Sequence, residues 1–207
     1  MIGTRREILG LLGMGAAAVA LRPGRALAMT EAQATDFVEM LVADITSLVQ
    51  SGAPADAQSQ KFSRIFAQYA AVPQIARFVM GPTWREMSAA QQQDFTDALL
   101  TYVGRVYSGL LREYQGQTLR VQKAQGFGQK GVLVTSIGEG PNVEGSVVEF
   151  LVSDRGGDGV KVVDIVAEGV SLLQSQRQEF ASLLEQRGGD VGRFISDMRS
   201  GRINTVE

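Results

Sequence analysis

The 207-residue chain contains no cysteine and no histidine. Without cysteine it has no disulfide, so it differs from the small stapled domains common among exported proteins and must stand on packing alone. Without histidine it lacks Ser-His-Asp and Cys-His catalysis, the commonest general base and the usual nitrogen ligand of zinc, copper and non-haem iron. Asp, Glu, Lys, Tyr and Ser remain available, so an enzyme is disfavoured rather than excluded. Charge of either sign is modest: 20 Lys and Arg stand against 22 Asp and Glu, a formal net of -2, and no basic run occurs. Nothing here draws the chain to nucleic acid or to an anionic surface. No apolar run is long enough to span a bilayer either. The longest, Ile8 to Leu21, covers about 14 residues, and a spanning helix needs about 20.

What is present begins with an export signal. Residues 1–28 combine a basic start, that short apolar run and an Ala26-Leu27-Ala28 cleavage site, the pattern of a secretory signal peptide. Thr4-Arg5-Arg6-Glu7-Ile8-Leu9 also resembles a twin-arginine signal. Cleavage near Ala28 removes four arginines and one glutamate and leaves a mature charge near -5. The folded domain is expected over residues 29–199, with a flexible tail at 200–207.

The mature chain opens with helical signals. Thr30 and Gln33 form a capping box, followed by Phe37, Met40, Leu41, Ile45 and Leu48 at helical spacing to about Gln50. Ser51-Gly52-Ala53-Pro54 ends that helix. A second covers about Ala55 to Tyr69, with Phe62, Ile65, Phe66 and Tyr69 on one face. Pro73 suits the first turn of a short third helix carrying Ile75, Phe78 and Val79, which Gly81-Pro82 breaks just before Trp84. Ser88 and Gln91 repeat the capping signature and start the longest helix, expected to reach about Tyr114 and to measure roughly 40 Å. From Val103 onward its apolar residues cover more than half the circumference, so that part must be buried on more than one side. Gly104 and Gly109 interrupt it, for close packing or a bend.

At Gly116 the character changes. Segments near Leu119–Ala124, Val132–Ile137, Val143–Val152 and Val160–Val166 read as strands separated by glycine-rich turns. Links of a few residues are hairpin links, and parallel crossovers are too long to fit. The expected sheet is a four-stranded antiparallel meander. Helix returns over about Leu172 to Gln186 and again from Val191 to Met198. The fold class is therefore α+β, with N-terminal helices and one long helix packed on the sheet, followed by C-terminal helices. Two motifs are discounted. Asp154 to Gly159 lacks the carboxylate spacing of a calcium loop, and Gly126-x-Gly128 does not lead from a strand into a helix.

Several blocks carry a family resemblance. Ile75-Ala76-Arg77-Phe78-Val79-Met80-Gly81, Trp84, Gln92 to Phe95 and Tyr102 to Tyr107 are followed by Val162-Val163-Asp164-Ile165-Val166-Ala167-Glu168-Gly169-Val170-Ser171-Leu172, then Gln174, Arg177, Phe180 and Ala181 to Leu184. In this order and spacing the chain resembles the MlaC, or toluene-tolerance, family of periplasmic phospholipid-binding proteins. It departs from common members at Phe150, where tyrosine is frequent, and at Asp158-Gly159-Val160-Lys161, where a tryptophan often precedes the lysine. The twin-arginine signal is also unusual for the family.

The resemblance implies a deep apolar cavity enclosed by sheet and helices, with a phospholipid as cargo and no enzyme activity, cofactor, metal or nucleic-acid partner. It implies a shuttle in the periplasm of a Gram-negative bacterium. Its partners would be an outer-membrane lipoprotein–porin complex and an inner-membrane ABC transporter with an MCE-type ring. A hopanoid or isoprenoid cargo on the same fold stays open, as does a small Asp/Glu-dependent enzyme.

Such a carrier must hide roughly 30 methylene groups, which cost on the order of 25 kcal/mol in water. Apolar volume does this; no nucleophile or metal is required. The lining candidates are Ile75, Phe78, Val79, Trp84, Tyr102, Val103, Val106, Tyr107 and Leu110 from helices, Val148, Phe150, Val163 and Ile165 from strands, and Val170 and Leu173 beyond the last strand. Arg77 is the candidate for a headgroup phosphate or a surface pairing. Asp164, Glu168 and Arg177 are candidates either for headgroup contact or, more in keeping with their place around the strand-to-helix turn, for a charge pair and cap that hold it, with Ser171 as helix cap and Gly169 at positive φ.

Overall fold

The computed structural model describes residues 29–110 and 116–203, apart from the side chain of Leu110. The expected signal peptide, the end of the long helix near Tyr114 and the last four residues lie outside the described residues.

The N-terminal half is helical. α1 (Glu31–Gln50) begins at the expected capping box: the Gln33 backbone N–H donates to Thr30 Oγ1 at 3.2 Å, and the Thr30 N–H to Gln33 Oε1 at 2.9 Å. α2 (Ala55–Tyr69) and α3 (Val72–Met80) follow, then a 3₁₀ turn over Gly81–Arg85 that carries Trp84. α4 (Ala89–Leu110) starts at the second capping box, with reciprocal Ser88 and Gln91 bonds of 2.9 and 3.2 Å.

The sheet is the expected antiparallel meander. β1 (Thr118–Gly126), β2 (Val132–Glu139), β3 (Val147–Ser153) and β4 (Lys161–Ala167) pair in chain order, and a two-residue β5 (Val170–Ser171) extends it. Val134 faces Phe150, and Phe150 faces Ile165 across β4. The β3–β4 register slips: Leu151 pairs with Asp164 and Val152 with Val162, leaving Val163 as an extra residue. α5 (Leu172–Glu185) and α6 (Val191–Ser200) close the chain.

Two apolar cores result. One lies between α1 and the sheet, from Ala34 and Val38 to Val132, Val134, Phe150, Val152 and Val162. The other lies among α3, α4, α5 and α6 and is centred on rings. Phe95 meets Phe180 edge-on at 6.0 Å, and Phe180 meets Phe194 at 5.4 Å and Tyr102 at 5.4 Å. The cores are joined where the Ala71 N–H donates to the Val162 carbonyl at 2.9 Å.

Two expectations are corrected. The sheet's partner is α1, not the long helix; α4 packs chiefly on α2 and α6. Those helices cover much of the described apolar surface of α4, and its Leu99, Val103 and Tyr107 border a cavity. On the α2 side, Gly104 permits the approach: a Cβ there would lie 2.6 Å from the Ser59 carbonyl oxygen. The tail is also tethered further than expected. Ile203 is buried, Arg105 Nη2 donates to the Met198 and Ile203 carbonyls at 2.9 and 3.0 Å, and Arg202 pairs with Asp197 at 2.7 Å.

Candidate functional site: an apolar cavity between sheet and helices

A cavity of about 500 Å³ separates the two cores. α1 supplies Leu41, Val42, Ile45 and Val49, and α2 supplies Phe62, Ile65, Phe66 and Tyr69. The sheet contributes Leu119, Val148, Phe150, Val162, Val163 and Ile165. The far wall is Ile75, Val79, Leu99, Val103, Tyr107, Leu172 and Leu173. Strand alternation explains Val148, Phe150 and Ile165, which share one face across the register. The extra residue in β4 explains why the neighbours Val162 and Val163 both reach the cavity.

The polar residues in the lining are neutral or already engaged. Thr46 Oγ1 donates to the Val42 carbonyl at 2.8 Å and Ser146 Oγ to the Val143 carbonyl at 2.7 Å. Gln176 Nε2 donates to Glu179 at 2.8 Å. Asp164 accepts from the Ser171 hydroxyl at 2.7 Å, the Ile165 N–H at 2.8 Å and the Leu173 N–H at 3.2 Å. Among the described residues no lysine or arginine lines the cavity.

The tyrosines at its walls stay protonated. Burial, reinforced by the hydrogen bond to Asp44 at 2.7 Å, pushes Tyr69 up to about 12. Burial and then the charge of Glu179 push Tyr107 up as well. Among the described residues this apolar lining offers no free charge. No cluster of His, Cys, Asp or Glu that could hold a metal exists among the described residues.

Of the lining candidates, Ile75, Val79, Val103, Tyr107, Val148, Phe150, Val163, Ile165 and Leu173 border the cavity. Five do not. Tyr102 is fully buried in the ring cluster, Trp84 packs edge-on to Phe95 at 6.3 Å, and Val106 packs against the same core. Phe78 lies beneath the Arg177 guanidinium at 5.0 Å, and Val170 is exposed at the sheet edge. The side chain of Leu110 lies outside the described residues.

The sequence alone does not place the α1 and α2 residues at the cavity, although Leu41, Ile45, Phe62, Ile65, Phe66 and Tyr69 are legible as helical faces. The signal that could have found them is the surplus of two apolar faces over what one small sheet can cover.

The polar candidates hold the chain in shape. Asp164 and Ser171 cap α5, with the Gln174 N–H donating to Ser171 Oγ at 3.1 Å. Glu168, at φ 49°, accepts from the Val147 N–H at 2.6 Å, and Gly169 has φ 80°. The expected charge pair is absent: among the described residues no ion pair joins Arg177 to Asp164 or Glu168. Arg77 is exposed and away from the cavity lining.

The order of elements and the cavity between them can now be set against known proteins. A family model described as MlaC protein matches residues 33–200. The chain belongs to the MlaC family. A solved relative shares the fold: the phospholipid-binding protein from Ralstonia solanacearum, determined in complex with a phospholipid at 1.53 Å. It is 24% identical to this chain with a TM-score of 0.66, and the match covers 81% of this chain and 97% of that one. Phe150 faces the cavity in this MlaC-family chain, so its departure from the common tyrosine keeps a ring there while removing a hydroxyl.

Proposed function

We propose that this protein is a periplasmic carrier that binds a phospholipid by its acyl chains and moves it between membranes without chemical change. The observation that carries the reading is the cavity: about 500 Å³, walled by aliphatic and aromatic side chains and free of cationic lining among the described residues. Transfer of a lipid from a bilayer to such a cavity exchanges one apolar surrounding for another. It therefore runs near neutrality and in both directions. Family membership and the phospholipid in the Ralstonia solanacearum relative support the same reading.

Residues 1–28 deliver the chain to the periplasm, with cleavage near Ala28. There it exchanges cargo with an outer-membrane lipoprotein–porin complex and an inner-membrane ABC transporter bearing an MCE-type ring. The lining residues hold the tails. The headgroup stays at the mouth, since no charged side chain inside is available to it among the described residues.

The test is lipid uptake. Mature protein is incubated with vesicles containing a labelled diacyl phospholipid and then separated from them. The expected result is label recovered with the protein at a fixed stoichiometry, and loss of that label in Val148→Asp, which places a charge on the half-buried sheet wall. Label remaining wholly with the vesicles would contradict the proposal.

A further inference from the structure

A second cavity of about 400 Å³ lies on the other side of Val79, which lines both. Its walls are largely apolar, from Met80, Pro82, Phe180 and Leu184, and among the described residues it holds one cation, Arg177. That guanidinium is partly buried and rests 5.0 Å over the Phe78 ring. It also lies beside Gly81, at φ 56° and ψ -132°, where a Cβ would sit 3.0 Å from Nη2. A side chain at residue 81 would be strained and would crowd the charge.

The Arg177 guanidinium carbon lies over the Phe78 ring, an attraction between charge and ring that takes up no oxygen acceptor. The guanidinium N–H donors lie in the plane of the group and point outward from its edge. None of them meets an acceptor among the described residues: Arg177 takes part in no hydrogen bond and no ion pair. A role confined to clamping α5 onto α3 would leave this donor fork unused. A partly desolvated guanidinium fork matches a carboxylate, which it engages through two parallel bonds.

We propose that this cavity is a separate site for a single-chain anionic amphiphile such as a fatty acid. The carboxylate pairs with Arg177, and the chain lies along Met80, Phe180 and Leu184. Glu185, exposed at the same cavity, disfavours a dianionic head by repulsion and so favours a carboxylate over a phosphate. The volume suits a small molecule rather than a folded partner element. The site does not depend on what fills the larger cavity.

The experiment is a titration of ¹⁵N-labelled mature protein with sodium dodecanoate, with dodecanol and with inorganic phosphate. Gly81, Gly188 and Gly189 report the small cavity, and Ser146, Val148 and Ile165 report the large one. Dodecanoate is expected to shift the three glycine amides saturably. Arg177→Gln should weaken that response about ten- to a hundred-fold, the loss of a charge-assisted pair, and Arg177→Lys should restore it in part.

Ala181→Trp places a bulky ring in the cavity from an exposed position. It should abolish the glycine response while leaving the response of the large cavity in place, which guards against a folding artefact. Three results would overturn the proposal. One is glycine shifts equal in wild type and Arg177→Gln. Another is an equal response to dodecanol or to phosphate alone. The third is dodecanoate reporting only at the large cavity.

Discussion

Gly104 and Gly109 lie five residues apart on α4, and the same substitution should act on them in opposite directions. At Gly104 a methyl would stand 2.0 Å from Ser63 Oγ and 2.6 Å from the Ser59 carbonyl oxygen. The hydroxyl can rotate away, at the expense of its 2.8 Å bond to the Leu100 carbonyl, a loss of about 1 kcal/mol. The carbonyl belongs to the α2 backbone, so the two helices must part by nearly an ångström. Overpacking of this kind costs about 1–3 kcal/mol, against which alanine returns about 1 kcal/mol of helix propensity.

The net expectation for Gly104→Ala is a loss of about 1–3 kcal/mol. In a domain of this size that lowers Tm by roughly 3–10 °C. At Gly109 nothing among the described residues lies within 4 Å of the added atom. Gly109→Ala keeps the propensity gain alone and should raise Tm by about 1–4 °C. Differential scanning calorimetry of both variants settles it. A rise in Tm for Gly104→Ala comparable to that for Gly109→Ala would refute the claim that α2 and α4 touch through this glycine. Because both helices wall the cavity, Gly104→Ala should also release bound lipid to acceptor vesicles faster than wild type.

Three further outcomes follow from named contacts. Arg187 and Arg202 hold the Asp197 carboxyl below the usual carboxylate range, the Arg187 hydrogen bond at 2.9 Å acting most strongly. The stabilisation is present above the unfolded value near 3.9 and lost as pH falls through the depressed folded value. Asp197→Asn should therefore lower Tm at pH 7, with the gap to wild type closing in acid; a gap independent of pH would contradict this. Tyr69 should ionise near pH 12 in an ultraviolet titration. The stability that it contributes, complete below pH 10, should be lost between about 10 and 12 and be absent from Tyr69→Phe. Ser171→Ala removes the cap of α5 and should cost about 0.5–2 kcal/mol in a urea melt.

Local signals read well from the sequence because they are local. Both capping boxes, the Gly81-Pro82 break and the hairpin spacing of the sheet depend on residues within a few positions of one another. Trp84 shows the limit. Its place directly after a helix break, in a family-like block, suggested the cavity, yet it packs on Phe95 because the 3₁₀ turn aims it at the ring cluster.

The pairing of layers was less legible. An apolar face declares that it is buried but not against what, so from sequence the long helix reads as the partner of the sheet that α1 covers. For the same reason Phe62 and Phe66 read only as one apolar helix face, and Tyr102 as lining. Which apolar residues face a void depends on how far two cores stand apart, a long-range property that periodicity does not carry. The extra residue in β4, which brings Val163 beside Val162, likewise depends on register with β3.

The central claim is that the large cavity carries a phospholipid. Native mass spectrometry of the purified mature protein, with lipid analysis of an organic extract, tests it most directly. The account predicts a stoichiometric adduct whose mass matches a diacyl phospholipid found in the extract. A protein that ionises at its bare mass, yields no lipid on extraction and takes up none from vesicles would contradict it.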